Sequence, residues 1–126
     1  MDRIDDRQLT QADPALHSRY AAAVYPAWFA DGSMIAHFAP PQAVSETGAA
    51  VLARLRSGTY DWRELLSALP TPTLVMHGER DALPPAVSAD ITYLLQHASR
   101  IVIPASGHMP FWEAPEVFFP AVEAFL

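Results

Sequence analysis

Two short apolar runs separated by one amphipathic helix constrain the fold of this chain most strongly. Residues 73–77 (TLVMH) form an apolar run that ends at Gly78, and residues 101–103 (IVI) form a second run that Pro104 ends. Short apolar runs bounded by Gly and Pro are typical of strands buried on both faces of a parallel sheet. Between them, apolar residues at offsets of 0, 4, 7 and 8 predict a helix over residues 85–97. Strand, helix and strand in this order predict a right-handed βαβ unit.

A last helix follows this unit. Pro115 opens it, and four apolar residues define its inward face: Phe118, Val122, Phe125 and Leu126. Pro120 lies inside the pattern and is a local conflict, because an interior proline costs about 3 kcal/mol. Two parallel strands also need neighbours on their edges and cover on both faces. We therefore expect residues 70–126 to be the C-terminal βαβα part of a larger α/β domain.

Residues 1–69 contain helix and loop patterns and no strand signal. A first helix is predicted from Asp13-Pro14 to about Phe29, with Pro26 ending it early. Asp31-Gly32 is predicted to form a turn.

Two more helices are predicted after Pro40-Pro41. The second carries Val44, Val51, Leu52 and Leu55 on one face and closes at Ser57-Gly58. In the third, Asp61 caps the start and Glu64 completes a capping-box spacing. Its apolar stripe consists of Trp62, Leu65, Leu66 and Leu69.

Composition excludes several classes of protein. The 126 residues are 51% hydrophobic and 17% charged, which suits a packed domain. Eight basic residues, all arginine, against fourteen acidic ones leave a net charge of −6, so no basic surface for nucleic acid or an anionic membrane is expected. There is no cysteine, no apolar stretch of spanning length and no basic leader sequence at the N-terminus. We expect a cytoplasmic protein with neither nucleic-acid nor membrane partners.

Polar residues follow both predicted strands. Asp81 comes after the turn at Gly78, and His108 comes after Gly107. The carboxyl ends of neighbouring parallel strands lie at one edge of a sheet, where ligands and catalytic groups gather. The Asp81 carboxylate can therefore fix the tautomer of His108, which is then free to act as a general base.

The runs that carry these residues resemble the C-terminal part of α/β-hydrolase-fold enzymes. They are residues 72–81, PTLVMHGERD, and residues 101–116, IVIPASGHMPFWEAPE. The resemblance implies a triad in the chain order Ser, Asp, His, with Asp81 as the acid and His108 as the base. Glu113 and Pro115 match the usual entry to the last helix of such enzymes. Residues 1–69 are similar in placement to their helical cap, and residues 25–31, YPAWFAD, resemble the proline-iminopeptidase-like branch.

One feature of the family is missing from these 126 residues. No Gly-x-Ser-x-Gly motif occurs, and the five glycines are never four positions apart. In such enzymes the nucleophile and the oxyanion loop both precede the cap. We therefore expect a fragment or one chain of a split enzyme, inactive alone, whose partners are the missing N-terminal half, a small-molecule or peptide substrate, and a second copy at the exposed strand edge.

Other residues allow a second interpretation. His77 with Asp81 and His108 could imitate a two-histidine, one-carboxylate metal site, but the hydrolase resemblance explains two of the three, so neither metal nor cofactor is expected. Ser106 lies beside the base but occupies a position where the family keeps a small residue, and it is not expected to be a nucleophile.

Substrate contacts are also predicted. Trp112 closely follows the base and is predicted to line the substrate pocket. Asp31 and Glu46 could bind a substrate amine in an aminopeptidase, although a solvated acid at a helix is the simpler interpretation of each.

Two function classes remain open from the sequence. The first is a serine hydrolase acting on an ester or an N-terminal amide. The second is a non-catalytic binding module, or a truncated product, that keeps the hydrolase scaffold. The chemistry cannot be chosen from the scaffold alone, since esters, amides, epoxides and haloalkanes are all substrates on this fold.

Overall fold

The structure, a computed structural model, describes residues 15, 19, 22–38, 45–58 and 60–126. Several residues used in the helix predictions lie outside this set: Asp13, Pro14, Leu16, Tyr20, Pro40, Pro41 and Val44. Residues 22–24 are helical and pass into a 3₁₀ helix, Tyr25–Trp28, with Pro26 in its first turn. The predicted early end of the helix at Pro26 is therefore confirmed.

The predicted turn at Asp31-Gly32 is present as the first turn of a second 3₁₀ helix, Gly32–His37, in which Met34 N–H donates to the Asp31 carbonyl oxygen at 3.0 Å. The Asp31 carboxylate accepts a hydrogen bond from the backbone N–H of Ser33 at 2.9 Å. An Asp at this position satisfies a free N–H at a helix start, which is why the chain continues as a helix.

Helix α1 spans Glu46–Ser57 and helix α2 spans Arg63–Ser67. The Ser45 hydroxyl caps α1 by accepting from Gly48 N–H at 3.0 Å, and α1 ends at Gly58 as predicted. The N-cap of α2 is Trp62, which makes no side-chain cap hydrogen bond. The Asp61 carboxylate one residue earlier accepts from the N–H and the guanidinium of Arg63, and the predicted capping box with Glu64 is not formed.

Several described residues of the apolar stripes predicted for these two helices are exposed. Val51, Trp62 and Leu65 are 53%, 55% and 69% exposed. A five-residue helix such as α2 buries little by itself, and no element in the described part of the chain covers this side of it.

The βαβ unit is confirmed. Strand β1 (Thr73–Gly78) is followed by helix α3 (Pro85–Leu94) and strand β2 (Ala98–Ile103). The strands are parallel, in register from Thr73 with Ala98 to Gly78 with Ile103.

The predicted bounds of α3 and β2 are wrong by three residues each. Helix α3 ends at Leu94 and not at 97, and β2 begins at Ala98 and not at 101. Main-chain pairing recruits every residue opposite β1, whatever its polarity. The polar Arg100 is accommodated because its guanidinium donates to Ser88 Oγ and to the Pro85 carbonyl oxygen of α3.

Two helices complete the chain. Helix α4 (Pro110–Glu113), which the sequence pattern did not predict, is followed by helix α5 (Pro115–Phe125). Pro120 lies inside α5, as the sequence indicated, without ending it. No helix in the described ranges is long and apolar enough to cross a membrane.

The free edge of β1 follows from its hydrogen-bond pattern. Thr73 N–H donates to His97 C=O, and Glu79 N–H donates to Ile103 C=O. Because successive residues of a strand point alternately to its two sides, Leu74 and Met76 direct their N–H and C=O groups away from β2. Within the described residues the sheet has two strands, so no strand pairs with this edge.

Candidate active site

The carboxylate of Asp81 and the imidazole of His108 are brought together, 27 positions apart in the chain. Nδ1 of His108 lies 3.0 Å from Asp81 Oδ2 and 3.1 Å from Oδ1. An ionised carboxylate only accepts hydrogen bonds, so Nδ1 carries the proton. In the neutral ring, Nε2 is then the basic nitrogen.

The two side chains differ in their access to solvent. The Asp81 side chain is only 6% exposed, whereas that of His108 is 41% exposed. Asp81 Oδ1 also accepts from the N–H of Leu83 at 2.9 Å, which fixes the carboxylate within its own loop. A buried, fixed acid beside an accessible base is suited to orienting that base and stabilising its protonated form.

His108 is also held by the segment before the second 3₁₀ helix. Its N–H donates to the carbonyl oxygen of Trp28 at 2.6 Å. The Trp28 ring lies against the imidazole, with ring centroids 5.2 Å apart. Trp28 is thus the aromatic neighbour of the base, a contact between residues 80 positions apart that no local pattern indicated.

Glycines allow three stretches of backbone to stack at this point. A β-carbon on Gly107 would lie 2.8 Å from Ala30 N and 3.0 Å from Phe29 C. One on Gly78 would lie 2.5 Å from the Ser106 carbonyl oxygen. The end of β1, the histidine loop (residues 104–109) and residues 28–30 therefore pack main chain against main chain.

Two glutamates tie these stretches together: Glu113, which the resemblance placed only at the entry to the last helix, and Glu79, for which the sequence predicted no role. Glu113 accepts from Ala30 N–H through Oε1 and from Gly107 N–H through Oε2, each at 2.6 Å. Glu79 Oε2 accepts from Ala105 N–H at 3.0 Å. Ala105 has a φ of 53°, a left-handed conformation that this loop imposes on a residue with a β-carbon.

His77 and Ser106 were considered above as a metal ligand and as a nucleophile. His77 is buried, with Nε2 3.0 Å from the Leu83 carbonyl oxygen and 3.9 Å from Asp81 Oδ2. Ser106 is fully buried, and its hydroxyl donates to the Ile103 carbonyl oxygen at 3.2 Å. No group of three His, Cys, Asp or Glu residues in the described ranges is placed to hold a metal ion.

The residues predicted to contact substrate are Trp112, Asp31 and Glu46. Trp112 is 44% exposed and packs edge-on against Phe38, with centroids 6.1 Å apart. Asp31 is the exposed cap of the second 3₁₀ helix, and the hydrogen bonds from Ser33 lower the pKa of its carboxyl group. Glu46 is the exposed first residue of α1.

An open hollow of about 220 Å³ lies along β1 beside the pair. Its lining combines His77, Asp81 and His108 with apolar side chains of β1, α3 and the adjoining loops, namely Val75, Met76, Leu83, Val87, Ile91 and Pro110. The acid and the base therefore border a cleft with apolar walls.

The fold and site define a parallel α/β protein with a carboxylate–imidazole pair at the carboxyl ends of its strands. A model of the alpha/beta hydrolase family matches residues 2–121. This chain belongs to the alpha/beta hydrolase family.

Two curated relatives are similar to about half of this chain. The pimeloyl-[acyl-carrier protein] methyl ester esterase of Nitrosomonas europaea is 36% identical over 69 residues, 52% of this chain and 27% of its own length. The proline iminopeptidase of Levilactobacillus brevis is 37% identical over 59 residues, 47% of this chain and 20% of its own length. The matches thus span 27% and 20% of the lengths of these two relatives.

Two solved structures of hydrolases are also similar to this chain. A thermophilic esterase from Thermogutta terrifontis is 33% identical with a TM-score of 0.55, over 64% of this chain and 29% of that one. An alpha/beta hydrolase from a Medee basin deep-sea metagenome library is 25% identical with a TM-score of 0.63, over 86% of this chain and 44% of that one. Both agree with the fold predicted from the strands and their loops.

Proposed function

We propose that this chain supplies the acid and the base of a Ser-Asp-His triad in a serine hydrolase. The observation that carries the proposal is the hydrogen bond from His108 Nδ1 to the buried Asp81 carboxylate. A complementing segment with a Gly-x-Ser-x-Gly motif would provide the nucleophile, because these 126 residues contain none. We also propose that residues 1–69 form a cap and residues 70–126 form part of the core. A cytoplasmic location is proposed as well.

The proposed reaction is acyl transfer. His108 Nε2 accepts the proton of the serine hydroxyl as its oxygen attacks the substrate carbonyl, and the imidazolium then gives that proton to the leaving group. Water, activated by the same nitrogen, hydrolyses the acyl-enzyme and regenerates the serine. Throughout, Asp81 remains ionised and stabilises the protonated ring.

An ester is the favoured substrate. A curated relative and a solved structure at 33% identity or more are both described as esterases. The proline iminopeptidase relative supports an N-terminal amide as the second choice. Under either choice the apolar walls of the cleft beside the pair favour a substrate with an apolar acyl part.

The test compares residues 1–126 alone with the same residues joined to the part of the Nitrosomonas europaea esterase that the match does not cover. We expect no hydrolysis of nitrophenyl esters or aminoacyl anilides by the chain alone and measurable hydrolysis by the fusion. His108→Ala should abolish the latter. A folded fusion whose ester hydrolysis survives His108→Ala would disprove the proposal.

A second candidate is a non-catalytic binding module on the same scaffold. Both candidates account for the absence of a Gly-x-Ser-x-Gly motif from these 126 residues, so the motif does not choose between them. It predicts that a folded fusion remains inactive with both substrate classes, so the same experiment separates the two functions.

A further inference from the structure

Glu113 occupies an unusual position among the acidic residues. Its carboxylate links two segments far apart in sequence, through Ala30 N–H, 83 positions away, and Gly107 N–H, six positions away. Both bonds are 2.6 Å long and part-buried. Hydrogen bonds from backbone N–H groups to a carboxylate are about twice as strong as those between neutral groups.

Each of the two linked groups lies next to a contact of the base. Gly107 immediately precedes His108, and Ala30 is two residues from Trp28. His108 N–H donates to Trp28 C=O, and the Trp28 ring packs on the imidazole. The carboxylate therefore closes a ring of contacts that runs from Gly107 through His108 and Trp28 to Ala30.

We infer that Glu113 is a positioning residue for His108, acting by clamping residues 28–30 onto the histidine loop. The expected effect of Glu113 on catalysis rests on the proposed function. Its effect on the structure around His108, measured by NMR, does not. Without the clamp, residues 28–30 can move away from Gly107. His108 then loses the carbonyl that accepts from its backbone N–H and the ring that packs on its imidazole. Asp81 alone then fixes the base, through one edge of its ring.

The side-chain chemistry explains why a glutamate is needed. Gln can accept through one oxygen only, and its amide group would place a donor against a backbone N–H. Asp keeps the charge but is one methylene shorter, so it cannot span both groups from the same backbone position. Glu113→Gln and Glu113→Asp should therefore each release at least one of the two bonds.

The experiment uses isotope-labelled residues 1–126 and two NMR readouts. In Glu113→Gln we expect amide exchange at Ala30 and Gly107 to accelerate about tenfold or more. We also expect the ring-proton chemical shifts of His108 to change, because the Trp28 ring no longer packs on the imidazole, while Asp81 keeps the Nδ1-protonated tautomer. Glu116→Gln, on the exposed first turn of α5, is the matched control and should change neither.

A further variant keeps the inference testable if Glu113→Gln fails to fold. Ala30→Pro removes one donor of the clamp from the other side, and Phe29 already has the extended conformation that precedes proline, with φ −100° and ψ 140°. It should reproduce the change at His108. If the His108 ring shifts stay unchanged in both variants, whether or not Ala30 and Gly107 exchange faster, the inference is overturned.

The active fusion provides a kinetic readout. Glu113→Gln should lower kcat by roughly 10²-fold with little change in KM, as expected for a misplaced catalytic group. An unchanged kcat would contradict the inference while leaving the proposed function intact. An inactive parent fusion would count against the proposed function and leave the NMR result to decide the role of Glu113.

Discussion

The backbone of Gly107 passes directly over the α-carbon of Gly78. An alanine β-carbon at position 78 would overlap the Gly107 carbonyl oxygen and lie 2.5 Å from that of Ser106. The Ser106 oxygen cannot easily move, because it accepts from Arg80 N–H at 2.8 Å. This contact joins the end of β1 to the loop of the base, and it requires glycine for space, since neither residue has a positive φ.

Gly78→Ala should therefore destabilise the fold by about 1–3 kcal/mol or more, as overpacking against fixed backbone does. The free energy of unfolding, from urea titration, measures the effect. Gly58→Ala is the matched control, because a β-carbon there meets nothing within 4 Å and its φ is −142°. We expect the control to stay within about 1 kcal/mol of the parent. Equal stability of the two variants would contradict this account of the contact.

Asp81 and His108 should behave as one unit in the active fusion. Asp81→Asn deprives the imidazole of the partner that sets its tautomer, which costs roughly 10⁴-fold in rate in related triads. The double variant with His108→Ala should be little slower than the worse single variant, because residues that act together lose their effect together. Steady-state kinetics of the three variants test this. Near-full activity of a folded Asp81→Asn would place the acid elsewhere, and Asp81 would then serve only its own turn.

The carboxyl group of Asp61 should have a pKa well below the ordinary value of an aspartate. Its hydrogen bonds from Arg63 lower the pKa of the carboxyl group to about 2. Since the pKa in the folded chain lies below the unfolded value near 3.9, the interaction stabilises α2 above about pH 4 and is lost as the pH falls towards 2. Carboxyl chemical shifts followed by NMR should show this midpoint, and Arg63→Ala should return it towards the ordinary value. A midpoint that Arg63→Ala leaves unchanged would exclude the hydrogen bonds as its cause.

The open edge of β1 should recruit a second copy of the chain. Unpaired N–H and C=O groups along a strand edge are a template for pairing with another strand. We expect residues 1–126 to form a dimer or larger assembly by light scattering.

Proline substitution tests which edge is used. Met76→Pro should weaken the assembly, because it removes an N–H that points to the open edge. Val75→Pro is the contrasting variant, because it removes an N–H that faces β2 and should instead destabilise the fold. A well-folded monomer that persists at all concentrations would show that the edge recruits no partner.

The amino-acid sequence by itself determined the βαβ unit and the two loops that carry Asp81 and His108. These follow from local signals: short apolar runs, helical spacing, and the Gly residues that turn the chain after each strand. It also located the end of α1 at Gly58 and the change of helix at Pro26, for which the physical cause lies within a few residues.

Only the tertiary structure decided which residues hold His108 in position. The bonds from Glu113 to Ala30 and from His108 to Trp28 join residues about 80 positions apart, and no spacing pattern encodes such a pair. The start of β2 at Ala98 had the same origin, since main-chain pairing with β1 extended the strand over polar residues. Local patterns report what a segment can become, whereas these features depend on which backbone groups of distant segments meet once the chain has folded.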